Sequence, residues 1–315
     1  MAEYISSFPT GFGEIVARHM PKHTEILQVY DGLIHYRGEA NVPFFNNSFY
    51  VLRFFEGRDL SFRRMIQEGR LRYPISEGSF RVRFSQSNQF VKVDKQISLR
   101  AESAVLQSSR LTLDRLNPTT ELWYAIRDEG FGFYGQLLQK RAATEKDLHP
   151  GELRPEFAHL MCCCGQPAQD SAILDPFAGY GSIPIQILRH FPFGKLYVSD
   201  NDPEKVRLLK QLLPVKAQCM DALSMTGVIN NSIDLIITDP PWGYYENIED
   251  IALFYESMLK EFKRILKPGG RAVILSARKE EFAQALRQSG AFSIESTIHT
   301  LVNGKKADVY VLKTI

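Results

Sequence analysis

Cysteine is scarce in this chain: four in 315 residues, three of them consecutive at Cys162, Cys163 and Cys164, with Cys219 apart. Consecutive cysteines fit neither zinc-knuckle spacing nor the disulfide framework of a small secreted domain. A metal site would also need a set of nearby histidines at ligand spacing, which is not evident, so no metal site is expected and the three read as reduced, partly buried small residues on a helix. Long apolar runs are missing too. "SIDLIIT" and "RAVILSA" fall far short of the roughly 20 residues a membrane-spanning helix needs, so no membrane association is expected. The opening "MAEYISSFPTGF" lacks a basic stretch followed by an apolar core, which makes the cytoplasm the expected location. Net charge is nearly absent at +2, so the overall balance names no partner, and a monomer is the default. A composition of 44% hydrophobic and 23% charged residues excludes wholesale disorder.

What is there divides into two grammars. From residue 171 onward, strands and helices alternate. "SAILDPF" is a strand ending in the Gly-rich turn "AGYGS", and "IPIQILRHF" has helical spacing. "GKLYVSD" is a strand, and "DPEKVRLLKQLL" a helix with Pro203 at an early position. "VKAQCMDA" and "SIDLIITDPPWG" are further strands. "ALFYESMLKEFKRILKPGG" is an amphipathic helix stopped by Pro268 and Gly269–Gly270. "RAVILSA" and "KEEFAQALRQSG" add a strand and a helix. The last 23 residues or so alternate around Asn303–Gly304, a strong hairpin signal. Alternation of this kind predicts an α/β fold with a doubly wound, mostly parallel sheet and a C-terminal antiparallel hairpin.

The first half predicts a separate α+β region. "TGFGEIVARHMP" reads as a helix and "EILQVYDGLIHYRG" as two strands around Asp31–Gly32. "NSFYVLRFFEG" is a strand and "LSFRRMIQEGR" a helix. "SFRVRFSQSNQFVKVD" reads as one strand, "SLRAESAVLQSSRL" as a helix and "ELWYAIRDEGFGFYGQLL" as a hairpin. The polar "KRAATEKDLHPGELRP" is the expected linker. The expected division is residues 1–145, then 146–170 as linker and leading helix, then 171–315. Between residues 50 and 110 twelve Lys/Arg, including Arg70 and Arg72, face six acids. That excess can be a solvated surface, or a face for nucleic-acid phosphates with Arg81, Arg83, Lys92 and Lys95 in it.

The carboxylates carry the chemistry. Gly179 and Gly181 stand in the first strand-to-helix turn, where a ligand can approach the backbone closely. Asp200, 19 positions after Gly181, ends the next strand, where a carboxylate can accept from a ribose diol. It could equally cap the following helix, a task open to Asp202. Asp175 opens the Gly-rich turn. A carboxylate there repels a pyrophosphate but suits the ammonium of a methionine moiety, which favours S-adenosylmethionine over a dinucleotide. Asp221 can accept from an adenine amino group or simply shape a turn. In "TDPPWG", Asp239 leaves the fourth strand at the ligand-binding end of an open α/β sheet. The two prolines stiffen the corner, so the Asp239 carboxylate and the Pro240 carbonyl can both accept from an exocyclic amine. Trp242 offers a face for its base, or else plugs the core. A base reaching this corner must leave its stack.

"LDPFAGYGS", "SDND" and "TDPPWG", in this order, resemble class I methyltransferases acting on exocyclic amines of nucleobases. "LNPTTELWYAI" and the stretch to "HPGELRPEFAHLM" look like the end of a THUMP domain and its linker, preceded by a ferredoxin-like segment. The chain is thus similar over nearly its whole length to THUMP-containing RNA methyltransferases. The resemblance implies a Rossmann-like methyltransferase domain at 171–315 behind a ferredoxin-like and THUMP RNA-binding region. It implies N2-methylation of a guanosine in tRNA, with the THUMP module engaging the acceptor end. It places the methionine moiety near Asp175, Phe177, Gly179 and Gly181, ribose at Asp200, adenine at Asp221, and the target amine at Asp239, Pro240 and Trp242. It lays the "HPGELRP" segment, with Arg154, against the cofactor pocket. Many members have tyrosine or phenylalanine where this chain has Trp242, and DPPW is frequent in adenine-N6 enzymes. Adenine-N6 methylation of RNA or DNA therefore stays open, as does a non-catalytic RNA-binding protein.

Overall fold

Strands and helices succeed one another much as the apolar spacing requires. The computed structural model describes residues 2–67, 73, 77–141, 147–244 and 248–315. Arg70, Arg72 and residues 142–146 of the linker lie outside the described residues. In chain order the elements are β1 (Glu3–Ser7), α1 (Gly13–His19), β2 (Glu25–Tyr30), β3 (Leu33–Arg37), β4 (Asn47–Glu56), α2 (Phe62–Gln67), β5 (Ser79–Gln86), β6 (Gln89–Phe90), α3 (Lys95–Ser108), β7 (Thr112–Leu113), β8 (Thr120–Arg127) and β9 (Phe131–Gln139). They continue with α4 (Pro155–Gly165), β10 (Ala172–Asp175), α5 (Ser182–His190), β11 (Lys195–Asp200), α6 (Pro203–Leu212), β12 (Ala217–Cys219), β13 (Ile233–Thr238), α7 (Ile251–Ile265), β14 (Leu266–Ser276), α8 (Lys279–Ser289), β15 (Phe292–Val302) and β16 (Lys305–Thr314).

One unit comprises Met1–Phe8 and Met20–Arg141, the other Pro9–His19 and Ala142–Ile315. The segment Pro9–His19, read from the sequence with the first region, therefore packs in the second unit. The reason is apolar: Phe12 and Val16 are fully buried, and Phe12 meets Phe157 of α4 edge-to-face at 5.3 Å. Thr300 Oγ1 also donates to the Thr10 carbonyl at 2.7 Å. A boundary drawn along the sequence cannot show such an excursion.

The first unit holds one nine-stranded sheet in the order β2-β3-β1-β4-β9-β8-β5-β6, with β7 beside β5. Phe80 and Phe84 of β5 point into the core, and the alternate residues Arg81 and Arg83 face away from it. The run read as one strand through Asp94 is instead a short hairpin. Ser87 and Asn88 turn it with φ of 50° and 65°, and Asn tolerates that conformation better than most residues.

The second unit's sheet runs β12-β11-β10-β13-β14-β16-β15. Its first five strands are parallel, and β16 lies antiparallel between β14 and β15. Ile233, Leu235, Ile236 and Ile237 of β13 are all buried, as a central strand covered on both faces requires. Helix α7 buries Tyr255, Met258, Leu259, Phe262 and Ile265 along one stripe, each worth about 1.5–3 kcal/mol of burial. It ends at Ile265, and the "KPGG" expected as its stop is taken into β14. The C-terminal hairpin turns at Asn303 and Gly304, whose φ values of 50° and 78° suit a primed turn. Cys162, Cys163 and Cys164 are buried in α4 with free thiols, and Cys219 is exposed. Among the described residues no helix is long and apolar enough to cross a membrane.

Candidate active site

The strand order of the second unit reverses between β10 and β13, and open α/β sheets bind ligands at such a point, beyond the carboxyl ends of the strands. Asp175 closes β10, Asp200 closes β11 and Asp239 follows β13. All three line a cavity of about 750 Å³, together with Phe177, Gly179 and Asp221.

Asp175 is buried, accepting from Thr238 Oγ1 at 2.8 Å and from the Phe177 N–H at 3.3 Å. Burial pushes its carboxyl up to about 7, against the pull of the Thr238 and Phe177 hydrogen bonds, and nearby Asp200 adds to the rise. Such a group is poised to ionise when a cation arrives beside it. Gly179 has φ 53° and donates to Asp200 Oδ2 at 2.8 Å; the Asp202 N–H donates to Asp200 Oδ1 at 3.0 Å. The Asp200 carboxylate is thereby fixed by backbone on both oxygens and retains further lone pairs. The helix cap falls to Asp202, whose side chain accepts from the Glu204 N–H at 2.9 Å. Asp221 shapes the turn after β12, accepting from the Leu223 N–H at 2.9 Å, and also lines the cavity.

Two expected cofactor residues stand outside the lining. Gly181 starts α5 with φ 90°, and a Cβ there would come within 3.1 Å of Leu209 Cδ2, so it serves the turn and helix packing. Arg154 precedes α4, with Nε 3.6 Å from Glu156 Oε1, whereas its neighbours Pro150, Gly151, Glu152 and Leu153 do line the cavity.

Pro240 and Trp242 line the same cavity, just after Asp239 in the chain. Trp242 Nε1 donates to Asp239 Oδ1 at 3.0 Å. The indole therefore orients the carboxylate through its edge, a role that its reading as a stacking plate did not include. Arg278 Nε donates to the Trp242 carbonyl at 2.9 Å and ties the corner to the start of α8. Several lining groups escaped the sequence reading: Tyr180, stacked on His149 at 4.0 Å, and Tyr244, Asn303 and Lys305. The tyrosines stand within two residues of Gly179 and Trp242, which was the available signal. Lys305 lies 66 residues beyond Asp239, and only the hairpin brings it near.

Arg81, Arg83, Lys92 and Lys95 belong to the first unit, and these carboxylates to the second. Arg81 pairs with Glu121, and Arg83 Nε lies 3.9 Å from the same carboxylate with its guanidinium 5.1 Å from the Phe90 ring centroid. Lys92 and Lys95 are exposed.

Comparison with known proteins bears on the family and the fold. The model of the RMKL-like methyltransferase domain UPF0020 matches residues 201–307. The mouse protein named tRNA (guanine(6)-N(2))-methyltransferase THUMP3 is 30% identical over 241 residues, covering 67% of this chain and 46% of that protein. The chain thus spans under half the length of this relative. The crystal structure of TrmN from Thermus thermophilus superposes with a TM-score of 0.78 at 19% identity, covering 100% of each chain. That of SMU.472, a putative methyltransferase complexed with SAH, has a TM-score of 0.74 at 13% identity, covering 98% of this chain and 97% of its own. The fold of the second unit is accordingly that of the class I methyltransferases.

Proposed function

We infer that this chain, a member of the THUMP-associated class I methyltransferase family, transfers a methyl group from S-adenosylmethionine to the exocyclic N2 amine of a guanosine in tRNA. The observation that carries the reading is one cavity lined by Asp175, Asp200 and Asp221 and also by Asp239 and Trp242. The name of the mouse relative favours guanine N2 over adenine N6, and position 6 is the proposed site.

The residues present fit the cofactor. Asp175 is a buried acid held close to neutrality, which a methionine ammonium beside it would ionise. Asp200 offers lone pairs to a ribose diol from a carboxylate already fixed by Gly179. A Cβ at Gly179 would meet nothing within 4 Å, so the backbone there stands open to a ligand. Asp221 and Phe177 complete the set. When bound, S-adenosylmethionine supplies an electrophilic methyl on a sulfonium.

The chain's own residues supply position. Asp239 accepts one N–H of the amine and Pro240 the other, which holds the nitrogen toward the cofactor end. The indole edge fixes the Asp239 carboxylate, and Trp242 bounds the base. Holding two reactants in line accounts for much of the acceleration available to such a site. Arg83, Lys92 and Lys95 of the first unit, a THUMP and ferredoxin-like region in this reading, receive RNA phosphates. Arg81 contributes less, because Glu121 already answers its charge. The free, buried thiols of α4 suit the reducing cytoplasm as the place of action.

The test is nucleoside mass spectrometry of tRNA incubated with the protein and labelled S-adenosylmethionine. N2-methylguanosine is the expected product; N6-methyladenosine alone would overturn the reading. Asp239→Ala should abolish turnover and leave cofactor affinity nearly intact.

A further inference from the structure

The corner that presents Asp239 is short of backbone donors. Pro240 and Pro241 have no N–H to give, so the chain entering Trp242 is stiff but cannot be tied down by backbone donation. The residue after Trp242 is Gly243, with φ of 69°, a conformation that glycine takes without steric cost. Where the indole stands therefore depends on what holds the carbonyls of the corner. Arg278, 36 positions on, holds one of them: its Nε donates to the Trp242 carbonyl at 2.9 Å. The donor is ionised, and hydrogen bonds from an ionised donor are the stronger kind. Trp242 is only part-buried, so the bond fixes the place of the indole more than it packs a core.

Arg278 is itself set by several neighbours. Its guanidinium carbon lies 4.4 Å from the Tyr244 ring centroid, and its Nη1 lies 3.7 Å from Glu281 Oε1. Its backbone N–H donates to Ser276 Oγ at 3.0 Å. Ser276 Oγ shares a second hydrogen bond, also 3.0 Å, with the Tyr255 hydroxyl. Ser276 and Tyr255 are fully buried, and the Tyr255 ring packs edge-to-face on Phe254 and Phe282. Burial raises the Tyr255 hydroxyl above its ordinary value against the pull of the Ser276 bond, and Asp239 adds to the rise, so the group keeps its proton. The same hydroxyl lies 3.5 Å from the Pro241 carbonyl.

We propose that Arg278 is a positioning residue for methyl transfer: by holding the Trp242 carbonyl it keeps the indole N–H on Asp239, and Ser276 and Tyr255 hold Arg278 to that task. The contacts run Tyr255–Ser276–Arg278–Trp242–Asp239 at 3.0, 3.0, 2.9 and 3.0 Å. They lead from α7 through the end of β14 and the start of α8 to the carboxylate that receives the amine. The proposal rests on the reading of the chain as an RNA methyltransferase.

The experiment is a double-mutant cycle on the full chain, read as single-turnover methyl transfer to tRNA at saturating enzyme, for wild type, Arg278→Lys, Trp242→Phe and the double variant. Lysine keeps the charge and the aliphatic stem but puts a methylene where Nε stands. Arg278→Lys alone should slow transfer about threefold to tenfold, and it should add less than about twofold once Trp242→Phe has removed the indole N–H. Tyr255→Phe, which removes one hydroxyl and keeps the ring, should slow transfer about twofold to threefold and show the same non-additivity with Trp242→Phe. S-adenosylmethionine affinity, measured by calorimetry, should stay at the wild-type value in all of them. Since the chain has two tryptophans, a Trp123→Phe background leaves Trp242 as the sole emitter, and its fluorescence anisotropy should fall on Arg278→Lys. Losses that multiply in full in the double variant overturn the proposal, as does an Arg278→Lys enzyme with the wild-type transfer rate. If wild type transfers no methyl to tRNA, the functional reading falls by itself; the anisotropy still decides whether Arg278 holds the indole, and an unchanged value overturns that too.

Discussion

Replacing Trp242 with phenylalanine separates two roles that the indole combines. Phenylalanine keeps an aromatic face against the target base and removes only the Nε1 donor, which lies 3.0 Å from Asp239 Oδ1. A hydrogen bond to a charged group contributes about 1.5–3 kcal/mol. Asp239 is only partly buried, which places this one at the lower end, about 1.5 kcal/mol. If that bond keeps the carboxylate aimed at the amine, its loss should slow methyl transfer roughly tenfold. Trp242→Ala also removes the stacking face, worth about 1–3 kcal/mol, and should slow the reaction by a further factor of about 5 to about 160. The assay is single-turnover transfer of a labelled methyl to tRNA at saturating enzyme, so that product release does not mask the chemical step. Cofactor affinity, measured separately, should not change in either variant. A Trp242→Phe enzyme with the wild-type transfer rate, beside a slow Trp242→Ala enzyme, would refute the reasoning and leave the indole as a plate alone.

Burial raises the Asp175 carboxyl from an ordinary 3.8 to about 7, so the unfolded chain ionises first and the unliganded protein should lose stability as pH rises between those values. Asp175→Asn should flatten that decline in a melting-temperature series and weaken S-adenosylmethionine binding; superimposable pH profiles would sink the idea. Gly11→Ala puts a Cβ 1.9 Å from the His299 carbonyl oxygen at φ 85° and should cost more than the about 1–3 kcal/mol of backbone strain alone. Gly290→Ala, also at positive φ but with nothing within 4 Å, is its control, and equal losses in urea unfolding would contradict the packing argument. Changing the exposed Lys92 and Lys95 to glutamine should lower the salt slope of tRNA binding by about 0.7–0.9 for each phosphate that either lysine neutralises. Retention of the wild-type slope would move the RNA surface elsewhere.

The alternating half of the chain was legible because its signals are local. A buried parallel strand is a continuous apolar run, and three such runs here lead to a residue that reaches the cavity: "AILD", "YVSD" and "IITD". The helix caps followed from chemistry as well: Asp202 before Pro203 is a cap by residue type and by position. The first half was less legible where its order departs from the sequence. Strand β1 pairs with β3 and β4, so its place in the sheet depends on residues more than 25 positions away. The turn at Ser87–Asn88 lacks the glycine that would have flagged it.

The site was legible one residue at a time and illegible in its couplings. Aspartates at strand ends can be found by reading, but the Trp242–Asp239 bond depends on a side-chain rotamer that no spacing specifies. The same limit applies to Arg154, which follows four cavity-lining residues and whose Nε lies 3.6 Å from Glu156 Oε1. It also hid the hairpin. Asn303–Gly304 announces a turn, but which end of the sheet the turn reaches depends on β16 lying between β14 and β15. Running antiparallel to β14, with Ser276 opposite Asp308, β16 begins at the end where β14 finishes. Because β14 is parallel to β13, that is the end where Asp239 emerges. Strand order therefore decides that Lys305 stands beside the target corner. Had β16 paired with its neighbours in the opposite sense, the same residues would have carried their charge to the far side of the sheet.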